Sequence, residues 1–166
     1  IAAAARAGRG WWIWQALRGP DGEGVAVPDY VEQDLLPMNQ WSRPGTTLER
    51  IDGVVIHYVG NPDTTAQANR NYFASLASGE EGTYASSHFI VGLEGEVIQC
   101  VPLTEIAYAS NERNADTVAI EVCHPDETGE FSDVTYDRVV ELTAWLCEEF
   151  HLDPQTDVIR HYDVSG

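Results

Sequence analysis

The sequence predicts an α/β fold with a single domain, in which helices flank a central mixed β-sheet. Short apolar strand patterns alternate with helical patterns along the chain, and one pair of strands is joined by a short turn that contains glycine. The length of 166 residues suits one domain with a substantial core and is short for two. A hydrophobic content of 43% is typical of a globular chain.

The first residues differ in composition from the rest. An alanine run and the segment Trp11-Trp12-Ile13-Trp14 precede a hinge rich in glycine at 19–24. This segment is either the remnant of a clipped membrane anchor or signal region, or a helix packed on the domain or on another copy. We divide the chain into a tail at 1–24 and a folded domain at 25–166, and expect membrane contact only through the tail. No apolar run is long enough to span a membrane.

The first half of the domain is predicted to contain, in order, an extended arm at 28–50 with a turn of helix at 31–36, a buried strand at 53–59, and a helix that ends near Ser78. The strand is a run of apolar β-formers that stops at Gly60-Asn61-Pro62. Either Asp63 or Thr64 is expected to be the N-cap of the helix, because short polar side chains accept hydrogen bonds from the first free N–H groups.

The second half is predicted to contain a hairpin of strands at 88–91 and 97–101, a strand at 117–123, a long helix at 135–150 closed by Asp153-Pro154, and a last strand at 157–160. A turn at 92–95 with two glycines joins the hairpin. Strand alternation places Ala119, Glu121 and Cys123 on one face. The inner stripe of the long helix is expected to be Val139, Val140, Leu142, Thr143, Leu146 and Cys147.

Charge and cysteine usage exclude several functions. Nine basic residues, all arginine, stand against 27 acidic ones, which gives a net charge of −18. A surface this negative repels a phosphate backbone, so we expect no nucleic-acid partner. Three cysteines in apolar contexts predict buried free thiols and no disulfide framework. A cysteine hydrolase built on Cys100 or Cys123 stays open as an alternative, whereas a serine hydrolase is disfavoured because no Gly-x-Ser-x-Gly elbow is present.

Three polar side chains lie within or at the ends of predicted strands. His57 is near the end of the first buried strand, Glu121 lies within the strand at 117–123, and His161 follows the last strand. Open α/β sheets gather ligands and chemistry at strand ends. Two neutral imidazoles and a third donor form an open zinc site, beside which a carboxylate that is not a ligand can move protons. From the residues alone, each histidine can equally be a hydrogen-bonded core residue.

Four segments in this order resemble a known family. They are Ile56-His57-Tyr58-Val59-Gly60-Asn61, the stretch 87–99, the stretch 119–125 (Ala-Ile-Glu-Val-Cys-His-Pro), and the stretch 160–166 (Arg-His-Tyr-Asp-Val-Ser-Gly). Together they are similar to the zinc-dependent N-acetylmuramoyl-L-alanine amidases, whose fold is shared with phage amidase endolysins and the peptidoglycan recognition proteins. The resemblance covers about residues 50–166 and implies that same fold here.

The resemblance also implies a reaction and its residues. His57 and His161 are expected to bind Zn²⁺, and Glu121 matches the family's catalytic glutamate. The implied reaction is hydrolysis of the amide between N-acetylmuramic acid and L-alanine in peptidoglycan. The residues expected to contact this substrate are Tyr58, His88 and Asn111, although for His88 a structural hydrogen bond is the alternative.

The sequence departs from the family pattern in two places. In the family, a lysine and a third metal ligand (Cys or Asp) follow the last histidine segment, and this sequence stops at Gly166 before them. We expect both in a longer natural chain. The second departure is Ala107-Tyr108-Ala109-Ser110-Asn111, where many members carry an aromatic-His-Ala-Gly sequence. Asp163 is a candidate to support or replace a ligand beside His161.

A second function of the same fold is kept as the alternative: a module that binds muropeptide without zinc and without cutting it. For either function the partner is peptidoglycan. Because peptidoglycan lies outside the membrane, we expect an extracellular or cell-envelope protein, or a phage lysin that is released at lysis. The sequence makes no prediction of oligomeric state.

Overall fold

The computed structural model describes residues 25–165. Its sheet has six strands: β1 (Val31–Gln33), β2 (Gly53–Tyr58), β3 (Phe89–Val91), β4 (Val97–Gln99), β5 (Thr117–Val122) and β6 (Val158–Arg160). Their order in the sheet is β1-β4-β3-β5-β2-β6, and all neighbouring pairs are parallel except the β3–β4 hairpin. The predicted α/β class with a mixed central sheet is confirmed. The predicted tail with Trp11–Trp14 lies outside the described residues, and the division of the chain at 24 stays a prediction.

Helices cover both faces of the sheet. They are α1 (Ala66–Ser75), which continues as a 3-10 turn at Leu76–Ser78, the long helix α2 (Asp133–Phe150), and the short α3 (His161–Ser165); a further 3-10 helix lies at Asn111–Ala115. Strand alternation sends Phe89 and Val91 towards α2, and Ile90 towards α1. Among residues 25–165, no helix combines the length and apolar character that a membrane crossing needs.

The turn of helix predicted at 31–36 is wrong. Val31–Gln33 is instead an edge strand that runs parallel to β4, with Val31 opposite Val97. Gln33 Nε2 also donates a hydrogen bond to Gln99 Oε1 at 2.7 Å, which ties the two strands through their side chains. A strand of three residues shows little periodicity of its own, so pairing with the sheet decides its conformation.

The N-cap of α1 also differs from the prediction. Thr65 is the cap, and its side-chain oxygen accepts a hydrogen bond from the N–H of Ala68 at 3.1 Å. Thr64 instead donates its hydroxyl to the carbonyl of Asn61, and Asp63 has a positive φ of 57° in the preceding turn. The capping chemistry was predicted correctly, but three adjacent polar residues can each supply it and the turn geometry chooses among them.

Helix α2 begins earlier than predicted, at Asp133, because the Ser132 side chain accepts a hydrogen bond from the N–H of Thr135. It ends at Phe150, as predicted, and its C-cap is His151, whose left-handed backbone (φ of 55°) stops the helix ahead of Asp153-Pro154. The placement of Val140 on the inner stripe is wrong, since it is 49% exposed. The buried apolar residues of the stripe are Val139, Leu142, Leu146 and Cys147.

We expect Leu142→Ala to lower the free energy of unfolding by about 2–5 kcal/mol, because this side chain is fully buried in the core between α2 and the sheet. Val140→Ala, in the same helix but largely exposed, is the matched control and should change stability by about 0.5 kcal/mol or less. Urea denaturation of both variants gives the comparison. Equal losses in the two variants would contradict the observed packing of α2.

Candidate active site

The floor of the candidate site lies where β2 and β5 run side by side. In this parallel pair His57 is directly opposite Glu121. Residues opposite one another in a sheet project from the same face, and here it is the face that α1 covers further along the strands. Two of the residues singled out in the sequence are therefore neighbours on one side of the sheet.

His161 completes the group from the other side of β2. Strand β6 runs parallel to β2, and His161 follows it directly as the first residue of α3. The Nδ1 atoms of His57 and His161 lie 2.7 Å apart, with the two rings edge to face and their centroids 4.7 Å apart. The fold thus brings together two side chains that are 104 positions apart in sequence.

The ionisation of His57 follows from its surroundings. Its side chain is buried, and burial, followed by the neighbouring imidazole of His161, lowers the pKa of His57 to about 4 from the ordinary 6.5. The ring is therefore neutral at pH 7. Two imidazole nitrogens 2.7 Å apart need a proton or a cation between them, since two facing lone pairs repel.

Glu121 shows the opposite shift from the same cause. The residue is partly buried, and desolvation raises the pKa of its carboxyl group to about 7. Near neutral pH this carboxyl group is divided between its protonated and ionised forms. It can therefore accept a proton and return it during one reaction cycle, which is the requirement for a general acid and base.

The structure adds Ser110 to this group. Its side chain is buried, and its Oγ lies 3.0 Å from Nε2 of His57, the ring nitrogen that faces away from His161. Ser110 belongs to the segment that departs from the family pattern, which is the signal by which it could have been noticed. No spacing rule links a loop serine to a histidine 53 positions away, so its contact was not predicted.

Comparison with known proteins decides the family. The family model described as N-acetylmuramoyl-L-alanine amidase matches residues 47–166. The chain belongs to this family. The resemblance predicted from the four sequence segments is confirmed.

Curated relatives agree with this assignment. The chain is 31% identical over 150 residues to the N-acetylmuramoyl-L-alanine amidase BlyA of Bacillus subtilis (strain 168), an alignment that covers 78% of this chain and 39% of the relative. It is 27% identical over 148 residues to the N-acetylmuramoyl-L-alanine amidase CwlL of Bacillus licheniformis, with 82% of this chain and 40% of the relative covered. The chain therefore spans about two fifths of the length of these relatives.

Solved structures share the fold of this amidase-family chain. The catalytic domain of XlyA superposes with a TM-score of 0.68 at 24% identity, covering 82% of this chain and 86% of the other. PlyL superposes with a TM-score of 0.68 at 18% identity, covering 82% and 83%. The mixed sheet with flanking helices is thus the fold of these structures.

Two of the residues predicted to contact substrate in this amidase-family chain, Tyr58 and Asn111, lie in different places relative to His57. Tyr58 follows His57 in β2 and so projects from the other face of the strand, where it is 64% exposed and its ring meets His124 edge to face at 5.5 Å. Asn111 is exposed and has a positive φ of 51°, directly after Ser110. Asn111 therefore lies at the rim of the site, whereas the structure does not bring Tyr58 together with His57.

His88 lies in the core with both ring nitrogens engaged. Nδ1 accepts a hydrogen bond from the N–H of Ala119 at 3.0 Å, and Nε2 donates one to the carbonyl of Glu105 at 2.8 Å. No ring nitrogen is left for a substrate. Of the two roles considered for His88, we therefore assign it the structural one, in which it links β5 to the segment that precedes the site loop.

Other candidates for metal binding or nucleophilic attack are engaged elsewhere. The Asp163 carboxylate accepts hydrogen bonds from the backbone N–H and the guanidinium of Arg160, at 2.9 Å and 3.0 Å, so it is engaged away from His161. Burial raises the pKa of the Cys100 and Cys123 thiols to about 12, which disfavours the cysteine hydrolase, because the thiolate is the nucleophile. Within residues 25–165, no group of three or more His, Cys, Asp or Glu side chains is arranged to hold a metal ion.

We expect His88→Gln to weaken the dependence of stability on pH. Burial lowers the pKa of His88 to about 4, so between pH 6.5 and 4 the unfolded chain binds a proton that the folded ring excludes. The contribution of His88 to stability is therefore complete above pH 6.5 and falls as the pH decreases towards 4. Removing His88 should reduce this part of the slope. His57, which has a similar shift, contributes with the same sign, whereas Glu121, whose pKa is raised to about 7, contributes with the opposite sign in both the wild type and the variant.

Urea denaturation at several pH values between 4 and 7.5 measures the slope. His151→Asn is the control, because His151 is exposed and its left-handed backbone suits asparagine. An unchanged slope in His88→Gln would refute the assigned role, whereas an unchanged slope in the control is expected.

Proposed function

We propose that this chain hydrolyses the amide bond between the lactyl group of N-acetylmuramic acid and L-alanine in peptidoglycan. The observation that supports this most strongly is the contact between His57 and His161, with Glu121 opposite His57 on the neighbouring strand. Membership of the amidase family, and the names of BlyA and CwlL, support the choice of bond. Because peptidoglycan lies outside the membrane, the proposed place of action is the cell envelope, or the wall of a lysing cell for a phage lysin.

The donor atoms of the site suit Zn²⁺. Protein-bound zinc favours imidazole nitrogen, and the Nδ1 atoms of His57 and His161 face one another with the His57 ring neutral. We assign these two nitrogens as ligands. A zinc ion held there would polarise the substrate carbonyl and lower the pKa of a bound water to about 7. The third ligand expected to follow Gly166 stays a prediction.

Glu121 carries the protons in the proposed reaction. Its ionised carboxylate accepts a proton from the attacking water, and the water oxygen adds to the carbonyl carbon of the lactyl amide. The protonated carboxyl group then donates that proton to the amide nitrogen as the C–N bond breaks. The products are a free lactyl carboxylic acid on the muramic acid and a free amine on L-alanine. A carboxyl group with a pKa of about 7 is suited to both steps near neutral pH.

Digestion of purified peptidoglycan tests the proposed bond. We expect mass spectrometry to detect stem peptides with a free L-alanine amino terminus, together with glycan strands that carry free lactyl groups. Treatment with a chelator should abolish this release, and added Zn²⁺ should restore it. Binding to peptidoglycan without any release would instead support the non-catalytic muropeptide-binding module, and newly formed reducing sugar ends would indicate a glycosidase.

Glu121→Gln should lower kcat by about 10²–10⁴-fold, because the amide cannot take up the proton of the attacking water. Zinc content should stay at the wild-type level, since Glu121 is not assigned as a ligand. Glu127→Gln, which removes the same charge from an exposed loop, is the control and should cleave normally. Release of stem peptides measured alongside metal analysis separates the two effects. Cleavage by Glu121→Gln at near the wild-type rate would remove this residue from the mechanism.

A further inference from the structure

The loop that precedes β5 holds a buried serine against the ring of His57. We propose that Ser110 is a positioning residue, which fixes the His57 imidazole in the orientation and tautomer that leave Nδ1 free to bind a metal. The inference deepens the proposed function and rests on it, because it concerns the proposed metal site. Ser110 itself is not assigned as a ligand.

The two nitrogens of His57 have separate partners. Nε2 lies 3.0 Å from Ser110 Oγ, and Nδ1 lies 2.7 Å from Nδ1 of His161. A neutral imidazole carries one proton, so one nitrogen donates and the other keeps its lone pair. When Nε2–H donates to Ser110 Oγ, the lone pair of Nδ1 points towards His161. The reverse tautomer would place a hydrogen atom between the two histidines and block Nδ1 as a ligand.

The environment of Ser110 favours a specific role for its hydroxyl group. The residue is 1% exposed, and a buried hydroxyl costs free energy unless it is hydrogen-bonded. The partner that the structure gives it is the ring of His57. Histidine ligands of metals commonly donate their second ring N–H to a neighbouring acceptor, which fixes the tautomer and the orientation of the ring.

The backbone around Ser110 is fixed in turn. The side-chain oxygen of Asn114 accepts hydrogen bonds from the N–H groups of Ala109 and Ser110, at 3.0 Å and 2.6 Å. The Thr117 hydroxyl donates to the carbonyl of Arg113 at 2.6 Å, which fastens the 3-10 helix at Asn111–Ala115 to the start of β5. Ser110 is thus tied to the same strand that carries Glu121.

Zinc affinity tests the proposal on the longest natural form of the chain. Competition with a chromogenic chelator should show that Ser110→Ala binds Zn²⁺ about 10–100-fold more weakly than the wild type. Ser87→Ala is the matched control, since Ser87 is also fully buried and donates its hydroxyl to a backbone carbonyl, that of Phe89, at 2.9 Å. The control should bind within twofold of the wild type.

The tautomer of His57 in the zinc-free protein gives a second readout, which does not depend on activity or on metal. Ring ¹⁵N NMR should show the proton of His57 on Nε2 in the wild type and in Ser87→Ala, and a mixture of tautomers in Ser110→Ala. Asn114→Ala keeps the Ser110 hydroxyl but removes the hydrogen bonds that hold its loop. It should weaken zinc binding and mix the His57 tautomers, as Ser110→Ala does. It replaces Ser110→Ala in the test if that variant does not fold.

The outcomes distinguish this inference from the proposed function. Wild-type zinc affinity in Ser110→Ala, or a wild-type proton on Nδ1 of His57, would overturn the positioning role. If the wild type binds no Zn²⁺, the proposed metal is wrong, and the ring spectra alone then decide whether Ser110 sets the tautomer.

Discussion

The site depends on the position of β2 between β5 and β6. Its parallel register with β5 sets His57 beside Glu121, and its pairing with β6 delivers His161 to the same place. Because side chains alternate along a strand, a slip of one residue would turn His57 to the α2 face and separate the group. The apolar residues of β2, which include the fully buried Val54 and Val55, hold this register through the core.

Burial at this point of the sheet has two opposite effects on pKa, and both suit the proposed reaction. It keeps the His57 imidazole neutral, so that a nitrogen lone pair is available, and it raises the pKa of Glu121 into the neutral range. Neither pKa shift is caused by the net charge of −18, because burial causes both and the neighbouring His161 adds to that of His57. The acidity of the surface and the chemistry of the site are therefore separate properties of this protein.

What could be predicted from the sequence depended on how far each signal extends along the chain. The apolar run of β2, the hairpin and the long helix were predicted because their patterns are local. The strand at Val31–Gln33 was missed because pairing with β4 decides it. Val140 was misplaced since helical periodicity gives the direction of the buried face only approximately.

In the site, too, what was predicted and what was missed depends on whether the sequence carries a signal for it. Nothing local links His57 to His161, and the resemblance of four ordered segments to a family supplied that pairing, which the geometry matches. Ser110 lies in the segment where the resemblance fails and Asn114 follows that segment, and their contacts depend on the path of one loop. That path is set by hydrogen bonds to backbone N–H groups, which a sequence pattern does not specify.

A crystal structure of the zinc-loaded protein, with anomalous data collected at the zinc absorption edge, tests the central claim most directly. If His57 and His161 share one ion, a single anomalous peak will lie between their Nδ1 atoms, at bonding distance from both. Two rings still hydrogen-bonded to each other, with no peak between them or with the zinc bound elsewhere, would contradict it.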